Sequence, residues 1–233
     1  TDDPGDQWLY ISTPSTSPVN FEVKVGGVVG ATSDSGTVFF QGTIDNNIPA
    51  AIELAQDPGD NNGWWSNFFV DPSQTEQVLN KGFIIDAEDL VYVSARLFTG
   101  SYFQAGAVVS KGLAALGTEF RAGTFENGGT NFTGTQSNYL NFISVLATQD
   151  NTTVNFSEFG NGVTILNNTP TNDVLLNSGE SYIIATRPYD PFTDTYNYAN
   201  SAGLIGSLVE SNKPIAVNTG SLTGHNSFLN TDG

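Results

Sequence analysis

The residues best suited to chemistry lie in one short acidic stretch, Asp57-Pro-Gly-Asp-Asn-Asn-Gly63. Carboxylate and amide oxygens on a glycine-turned loop are the hard ligands that Ca²⁺ prefers. We therefore predict Asp57, Asp60 and Asn62 as metal ligands, with Ca²⁺ as the candidate cofactor. The stretch lacks the alternate-residue Asp spacing and the closing Glu of an EF-hand. Asp-Pro-Gly-Asp is also common turn sequence, so a metal-free turn is the alternative.

Aromatic residues stand directly after this stretch and again in a later loop. Trp64 and Trp65 are neighbours, and neighbouring strand residues point to opposite faces, so one ring is expected outside. Tyr196 and Tyr198 lie in residues 188–199, a loop rich in Asp and Tyr. Exposed rings beside amide and carboxylate groups suit an extracellular polysaccharide, and we predict these four residues as ligand-binding. The alternatives are a domain interface for the tryptophans and, for the tyrosines, rings folded back over the domain with wet hydroxyls.

Few residues of the chain could act as catalytic groups. It has no Cys, which excludes thiol nucleophiles, disulfides and thiolate metal sites. Its one histidine, His225, lies near the C-terminus, and no Gly-x-Ser-x-Gly elbow is present, so a Ser-His-Asp triad is not expected. We predict that the protein is not an enzyme. A glycosidase is the alternative, because two carboxylates on facing strands would suffice.

The charge balance excludes several classes of partner. Seven Lys and Arg residues stand against 24 Asp and Glu, which gives a formal charge of −17. Seven basic residues are too few to form a basic surface that could bind phosphate backbones or anionic lipids. We therefore expect no binding to nucleic acid or to membrane surfaces. Direct membrane insertion is not expected either, because no apolar run approaches about 18 residues. Small polar residues provide most of the solubility, a composition that favours an extracellular, cell-surface location.

Two of the few cations are predicted to be partly buried anchors of ion pairs. Arg96 and Arg121 stand among many acids, and a planar guanidinium pairs well with a carboxylate. Acids such as Asp86 or Glu119 are the expected partners. The alternative is a basic pocket for an acidic polysaccharide.

The elements that would position these residues are strands. Short segments such as residues 8–12, 19–25 and 204–209 recur at a spacing of roughly 8–15 residues, separated by Gly, Asn, Pro and Asp clusters. The best helical segment, residues 112–120, is only about two turns long. We predict an all-β fold, an antiparallel β-sandwich.

An internal sequence repeat predicts two related halves packed together. Residues 8–21 and 140–156 each show a hydrophobic strand, a Thr- or Ser-rich turn and a strand carrying Val-Asn-Phe. Residues 82–93 and 206–217 each show a strand, an acidic turn and an alternating strand, in the same order along the chain. Convergence of unrelated β-hairpins on these patterns is the alternative. The predicted divisions are a first half at 1–112, a connecting segment at 113–138 and a second half, truncated at the C-terminus, at 139–233.

Several longer motifs resemble a known family. Val91-Tyr-Val-Ser-Ala-Arg96, Gln104-Ala-Gly-Ala-Val-Val-Ser-Lys-Gly112 and Leu116-Gly-Thr-Glu-Phe-Arg121 are similar to the IgG-Fc-binding-protein N-terminal-type domain of large Bacteroidetes surface proteins. Those proteins include SprB-type gliding-motility adhesins. The resemblance spans roughly residues 80–221, and the family pattern normally continues beyond the last matching block. Further motifs that carry it are residues 142–148, 177–182 and 203–221.

This resemblance implies an extracellular, non-catalytic adhesion module that the type IX system exports. Its partners would be the neighbouring domains of the same long chain and an extracellular ligand. The family supplies no catalytic residues to carry over. A calcium-assisted carbohydrate-binding module centred on residues 57–65 is the alternative function.

The calcium prediction is tested by thermal unfolding in Ca²⁺ and in chelator at fixed ionic strength. A ligand that binds only the folded state stabilises it by mass action, so a real site gives a saturable rise in melting temperature. That rise should be absent when Asp57 and Asp60 are both replaced with Ala. An unchanged melting temperature would show that residues 57–63 form a turn that binds no calcium.

Overall fold

The computed structural model describes residues 7–26, 37–55, 70–99, 104–127, 140–167, 173–190, 193 and 195–222. Within these ranges all strand pairing is antiparallel, and the single α-helix, α1, has four residues (Ala199–Ala202), so the predicted all-β fold is confirmed. No helix there is long and apolar enough to cross a membrane. The strands are β1 (Gln7–Ser12), β2 (Val19–Val25), β3 (Thr37–Ile44), β4 (Ala50–Ala55), β5 (Val78–Leu79), β6 (Phe83–Ala87), β7 (Tyr92–Thr99), β8 (Gln104–Val109), β9 (Gly117–Arg121), β10 (Leu140–Ala147), β11 (Thr152–Ser157), β12 (Val174–Leu176), β13 (Ser181–Thr186), β14 (Tyr189–Asp190), β15 (Thr195–Tyr196) and β16 (Leu208–Leu222).

The described chain forms two compact units that interleave in sequence. Unit 1 holds the described residues up to 55 and those between 80 and 115. Unit 2 holds residues 70–79 and the described residues from 116 onward. Residues 70–79 therefore belong to unit 2 although both of their flanking strands, β4 and β6, belong to unit 1.

Unit 1 is a β-sandwich of a four-stranded and a three-stranded sheet. The sheet orders are β4-β1-β7-β8 and β3-β2-β6. Alternation in β1 produces the layering, because Leu9 and Ile11 point into the core while Tyr10 points outward. Strand β2 alternates in the same way, and its Phe21 and Val23 join the same buried cluster.

Unit 2 is built around one long strand. The first part of β16 pairs with β11 and its last part, Ile215–Leu222, pairs with β10, so this one strand takes part in both halves of a seven-stranded sheet. Strand β9 also pairs with β16, and the register of that pairing shifts between Glu210 and Ile215, where Pro214 lacks a backbone N–H. Side chains from both halves of the sheet, such as Ile143 and Val154, share one buried cluster.

The two units have four strand pairings in common. In unit 1, β1 pairs with β4 and β7, and β2 pairs with β3 and β6. In unit 2, β10 pairs with β13 and β16, and β11 pairs with β12 and β16. The long β16 thus takes the positions of both β6 and β7. The connection from β4 to β6 and the connection from β13 to β16 are equivalent on this scheme.

A buried carboxylate fastens residues 70–79 to unit 2. Glu76 is 7% exposed, and its side chain accepts hydrogen bonds from Ala185 N (2.8 Å), Asn167 N (3.0 Å) and Thr75 Oγ1 (2.6 Å). Its backbone N–H donates to the Ile183 carbonyl at 2.7 Å, and its φ of 58° lies in the left-handed region that costs a side-chain residue energy. Burial raises the pKa of Glu76, and the three donors act in the opposite direction.

We predict that Glu76 makes unit 2 lose stability as the pH rises. Because the pKa of Glu76 is raised in the folded state, the folded chain holds this proton more tightly than the unfolded chain. The stability from this group is complete below its unfolded pKa, near 4.5, and is lost as the pH rises through the folded value. Urea unfolding of the protein and of Glu76→Gln between pH 4 and 7 measures this loss of stability, because glutamine does not titrate.

The unfolding free energy of the parent protein minus that of Glu76→Gln should fall as the pH rises. The pKa of the neighbouring Tyr182 is also raised, by burial and by the Glu76 charge, but this group stays protonated throughout that range. Parallel pH profiles for the two proteins would contradict the prediction.

Candidate functional site

The predicted site residues separate into two groups. Asp57, Asp60, Asn62, Trp64 and Trp65 lie outside the described residues. The tyrosine loop is described, and it forms a short hairpin of β14 and β15 followed by α1, all in unit 2.

Three tyrosine rings, the tyrosine stack, contact one another in series from the core to the surface, with the first pair tilted by 40° and the second pair near-parallel. Tyr189 and Tyr196 are directly opposite in the hairpin, which brings their ring centroids to 4.8 Å. Tyr196 and Tyr198 are stacked at 5.6 Å with only 12° between their planes. Tyr189 is 2% exposed and Tyr198 is 67% exposed. An exposed ring backed in this way is held in place before any ligand arrives.

A cavity of about 260 Å³ opens beside Tyr196. One wall is residues 164–166, a second is residues 187–188 at the end of β13, and the hairpin supplies the third. The first two walls are joined by the bridge between Ile165 and Thr186 and by the bond from Leu166 N to the Ala185 carbonyl (2.8 Å). The residues that line the cavity are Thr164, Ile165, Leu166, Arg187, Pro188, Asp190, Thr195, Tyr196, Asn197 and Asn200.

Asn200 fixes the positions of two of these walls. It is 3% exposed, and its Oδ1 accepts from Thr164 N at 2.8 Å. Its Nδ2 donates to Thr164 Oγ1 and to the Arg187 carbonyl, each at 2.9 Å. Its own carbonyl accepts from Asn141 Nδ2 and Thr186 Oγ1, both at 3.0 Å. No local sequence pattern indicates this role, because the partners lie on three separate segments.

The cavity carries one basic and one acidic side chain. Arg187 and Asp190 are both half-buried, and Asp190 accepts from Thr193 Oγ1 at 2.9 Å. The Thr193 hydroxyl in turn shares a hydrogen bond of 2.7 Å with Thr195. The lining thus offers a carboxylate that only accepts, a guanidinium that only donates and hydroxyl and amide groups that do both.

The two predicted arginine anchors behave differently. Arg121 forms an ion pair with Glu158, which raises the pKa of Arg121 and lowers that of Glu158. Both side chains are exposed, so this is not the partly buried pair that was predicted, and Glu119 contributes only a weaker attraction. Arg96 makes no ion pair within the described ranges. Its guanidinium lies over the Tyr10 ring at 5.0 Å, a cation–π contact on the outer face of the four-stranded sheet. Strand register, which the sequence does not display, decides which described residues are the neighbours of Arg96.

A larger groove of about 580 Å³ lies on the three-stranded sheet of unit 1. Its lining includes the acids Glu22, Asp86 and Glu88, and Lys24 already pairs with two of them. Across the described part of the chain, no three side chains of the metal-ligating types gather into a site. The groove lacks an exposed aromatic ring, so the smaller tyrosine-lined cavity is the better candidate for recognition.

Comparison with known proteins identifies one family. The family model described as IgGFc binding protein matches residues 106–231, which is more than half of the chain. The match begins in β8, and it includes the hairpin, the cavity and α1. Neither a curated protein nor a solved structure matches this chain.

We predict that Asn200→Ala destabilises unit 2 by about 2–4 kcal/mol, because it removes the three hydrogen bonds that this buried side chain makes to Thr164 and to the Arg187 carbonyl. The matched control is Asn155→Ala, whose amide bonds Asp173 at the surface and should cost less than about 1 kcal/mol. Urea unfolding followed by circular dichroism measures both. Equal losses would show that Asn200 is not the residue that holds these walls.

Proposed function

Because this chain belongs to the IgGFc binding protein family, we propose that it is a non-catalytic module of a large bacterial cell-surface adhesin that serves surface attachment or gliding motility. Domains of this family are typically extracellular, and the family description names a binding activity. Export by the type IX system belongs to the same proposal. It draws on the motifs of residues 80–221 that resemble surface proteins of Bacteroidetes.

The observation that carries the proposal is the tyrosine stack. Tyr198 exposes 67% of its surface while Tyr196 and the buried Tyr189 support it from behind. Aromatic rings are favoured in binding surfaces because they supply large contact area and lose little side-chain entropy. A ring already held in place loses even less on binding.

The scaffold also suits a mechanical role under tension. Eight residues of β10 pair with the last part of β16, and β11 pairs with its first part. Force applied along β16 would therefore act on hydrogen bonds in both halves of the sheet together. Neighbouring domains of the same long chain are the proposed structural partners.

A calcium-assisted carbohydrate-binding module is the second candidate function. The near-parallel rings of Tyr196 and Tyr198, beside a cavity with polar lining, favour it. The calcium part rests on the sequence of residues 57–63 alone.

Adhesion under flow tests the proposed function. Beads coated with the protein, with Tyr198→Ala, with Tyr92→Ala or with albumin are passed over glass that carries IgG Fc, dextran or alginate. Tyr92 is the matched control, because it is 58% exposed and lies in unit 1. We expect beads coated with the protein or with Tyr92→Ala to stay attached to at least one of these surfaces. Beads coated with Tyr198→Ala should lose most of that attachment. Attachment no better than that of albumin on every surface would contradict the proposal.

A further inference from the structure

We propose that the cavity beside Tyr196 binds a single residue of a neutral polysaccharide, an inference that rests on the proposed binding function and names its ligand class. The ligand would enter between the hairpin, residues 164–166 and the end of β13. Four observations carry the assignment: the size of the cavity, its polar lining, its charge and the tyrosine stack at its mouth.

The volume suits a small ligand. Pockets for drug-sized molecules span roughly 300–1,000 Å³, and this cavity, at about 260 Å³, lies below that range. A dinucleotide or a peptide segment would not fit inside it. One ring of a sugar chain would fit, with the rest of the chain continuing outside.

The polar groups match a ligand that carries several hydroxyls. Each sugar hydroxyl can donate one hydrogen bond and accept others, so it can bond to a carboxylate, a guanidinium or an amide. Asp190 supplies a carboxylate, Arg187 a guanidinium and Thr195 a hydroxyl around one cavity. The Asn197 amide already bonds Gly162, Thr164 and Ala199, so it positions the wall. An apolar ligand would instead remove water from these groups and replace none of their hydrogen bonds.

The charge selects neutral chains over acidic ones. Arg187 and Asp190 carry opposite charges within the lining, so the cavity has no excess of positive charge. The whole chain has a formal charge of −17, which repels a polyanion as it approaches. A neutral polysaccharide meets neither obstacle.

The tyrosines extend the contact beyond the cavity. Tyr196 lines the cavity, and Tyr198 is stacked on it with 5.6 Å between ring centroids. A chain with one residue in the cavity would therefore place a neighbouring residue near the exposed ring of Tyr198, where its apolar C–H face can cover the ring.

Affinity electrophoresis tests the proposal. The protein is run in native gels that contain dextran, xylan, galactan or mannan as neutral polymers, or alginate or chondroitin sulfate as acidic ones. We expect retardation in at least one neutral gel, relief of it by the matching free oligosaccharide, and no retardation in the acidic gels. Retardation in none of the neutral gels, or only in acidic ones, would overturn the proposal.

Four variants locate the binding. Thr195→Val removes one exposed hydroxyl at nearly constant shape, and Asp190→Asn removes the carboxylate charge, so each should weaken retardation at least fivefold. Tyr196→Phe keeps the ring stack and should retain most of the binding. Tyr92→Ala, in unit 1, should leave it unchanged. Melting temperatures within a few degrees of that of the parent protein verify that the variants are folded. If the folded double variant Asp190→Asn, Thr195→Val is still fully retarded, the sugar does not bind in this cavity and the proposal is overturned.

The two proposals fail in different ways. Attachment of coated beads to IgG Fc, without retardation in neutral gels, would remove the saccharide assignment and leave the adhesive function. Retardation that depends on Asp190 and Thr195, without attachment under flow, would leave a sugar site and remove the adhesive function.

Discussion

The buried carboxylate of Glu76 is the contact on which the candidate site depends. One oxygen accepts from the N–H of Ala185 in β13, and the other from the N–H of Asn167, next to the wall formed by residues 164–166. Two walls of the cavity are thus attached to one side chain that is 109 and 91 residues away along the chain. Loss of that side chain would leave the buried N–H of Ala185 without an acceptor, which is costly.

Neutral side-chain amides carry much of the remaining organisation in unit 2. Asn200 joins residue 164 to residue 187, Asn141 donates to the carbonyls of residues 200 and 201, and Asn167 donates to Thr75. Amides do this work without charge, so the network is little affected by ionic strength. A chain with 13% charged residues therefore builds its loops from Asn and Thr, and the few charged groups in the cavity stand out against that background.

Strand alternation made the fold predictable, because a period of two is written directly in the sequence. Leu9 and Ile11 alternate with Trp8 and Tyr10, and the same kind of pattern recurs from residue 140 to residue 147. The tyrosine loop could be identified from composition alone. Glu76 could not, because a single Glu between Thr and Gln carries no local sign of burial. Arg96 could not be assigned its Tyr10 contact either, because cross-strand neighbours depend on register.

The sequence by itself determined the all-β class, the small fraction of charged residues and their acidic balance, the family motifs and the presence of a tyrosine-rich loop. These properties depend on composition and on patterns within short segments. Only the tertiary structure decided that residues 70–79 join unit 2, that Tyr196 and Tyr198 stack beside a cavity, and that Asn200 holds its walls. The tyrosine rings are close in sequence, but the placement of residues 70–79, the walls of the cavity and the bonds of Asn200 all require hydrogen bonds between segments far apart in the chain. Such contacts form only when folding brings distant strands into register.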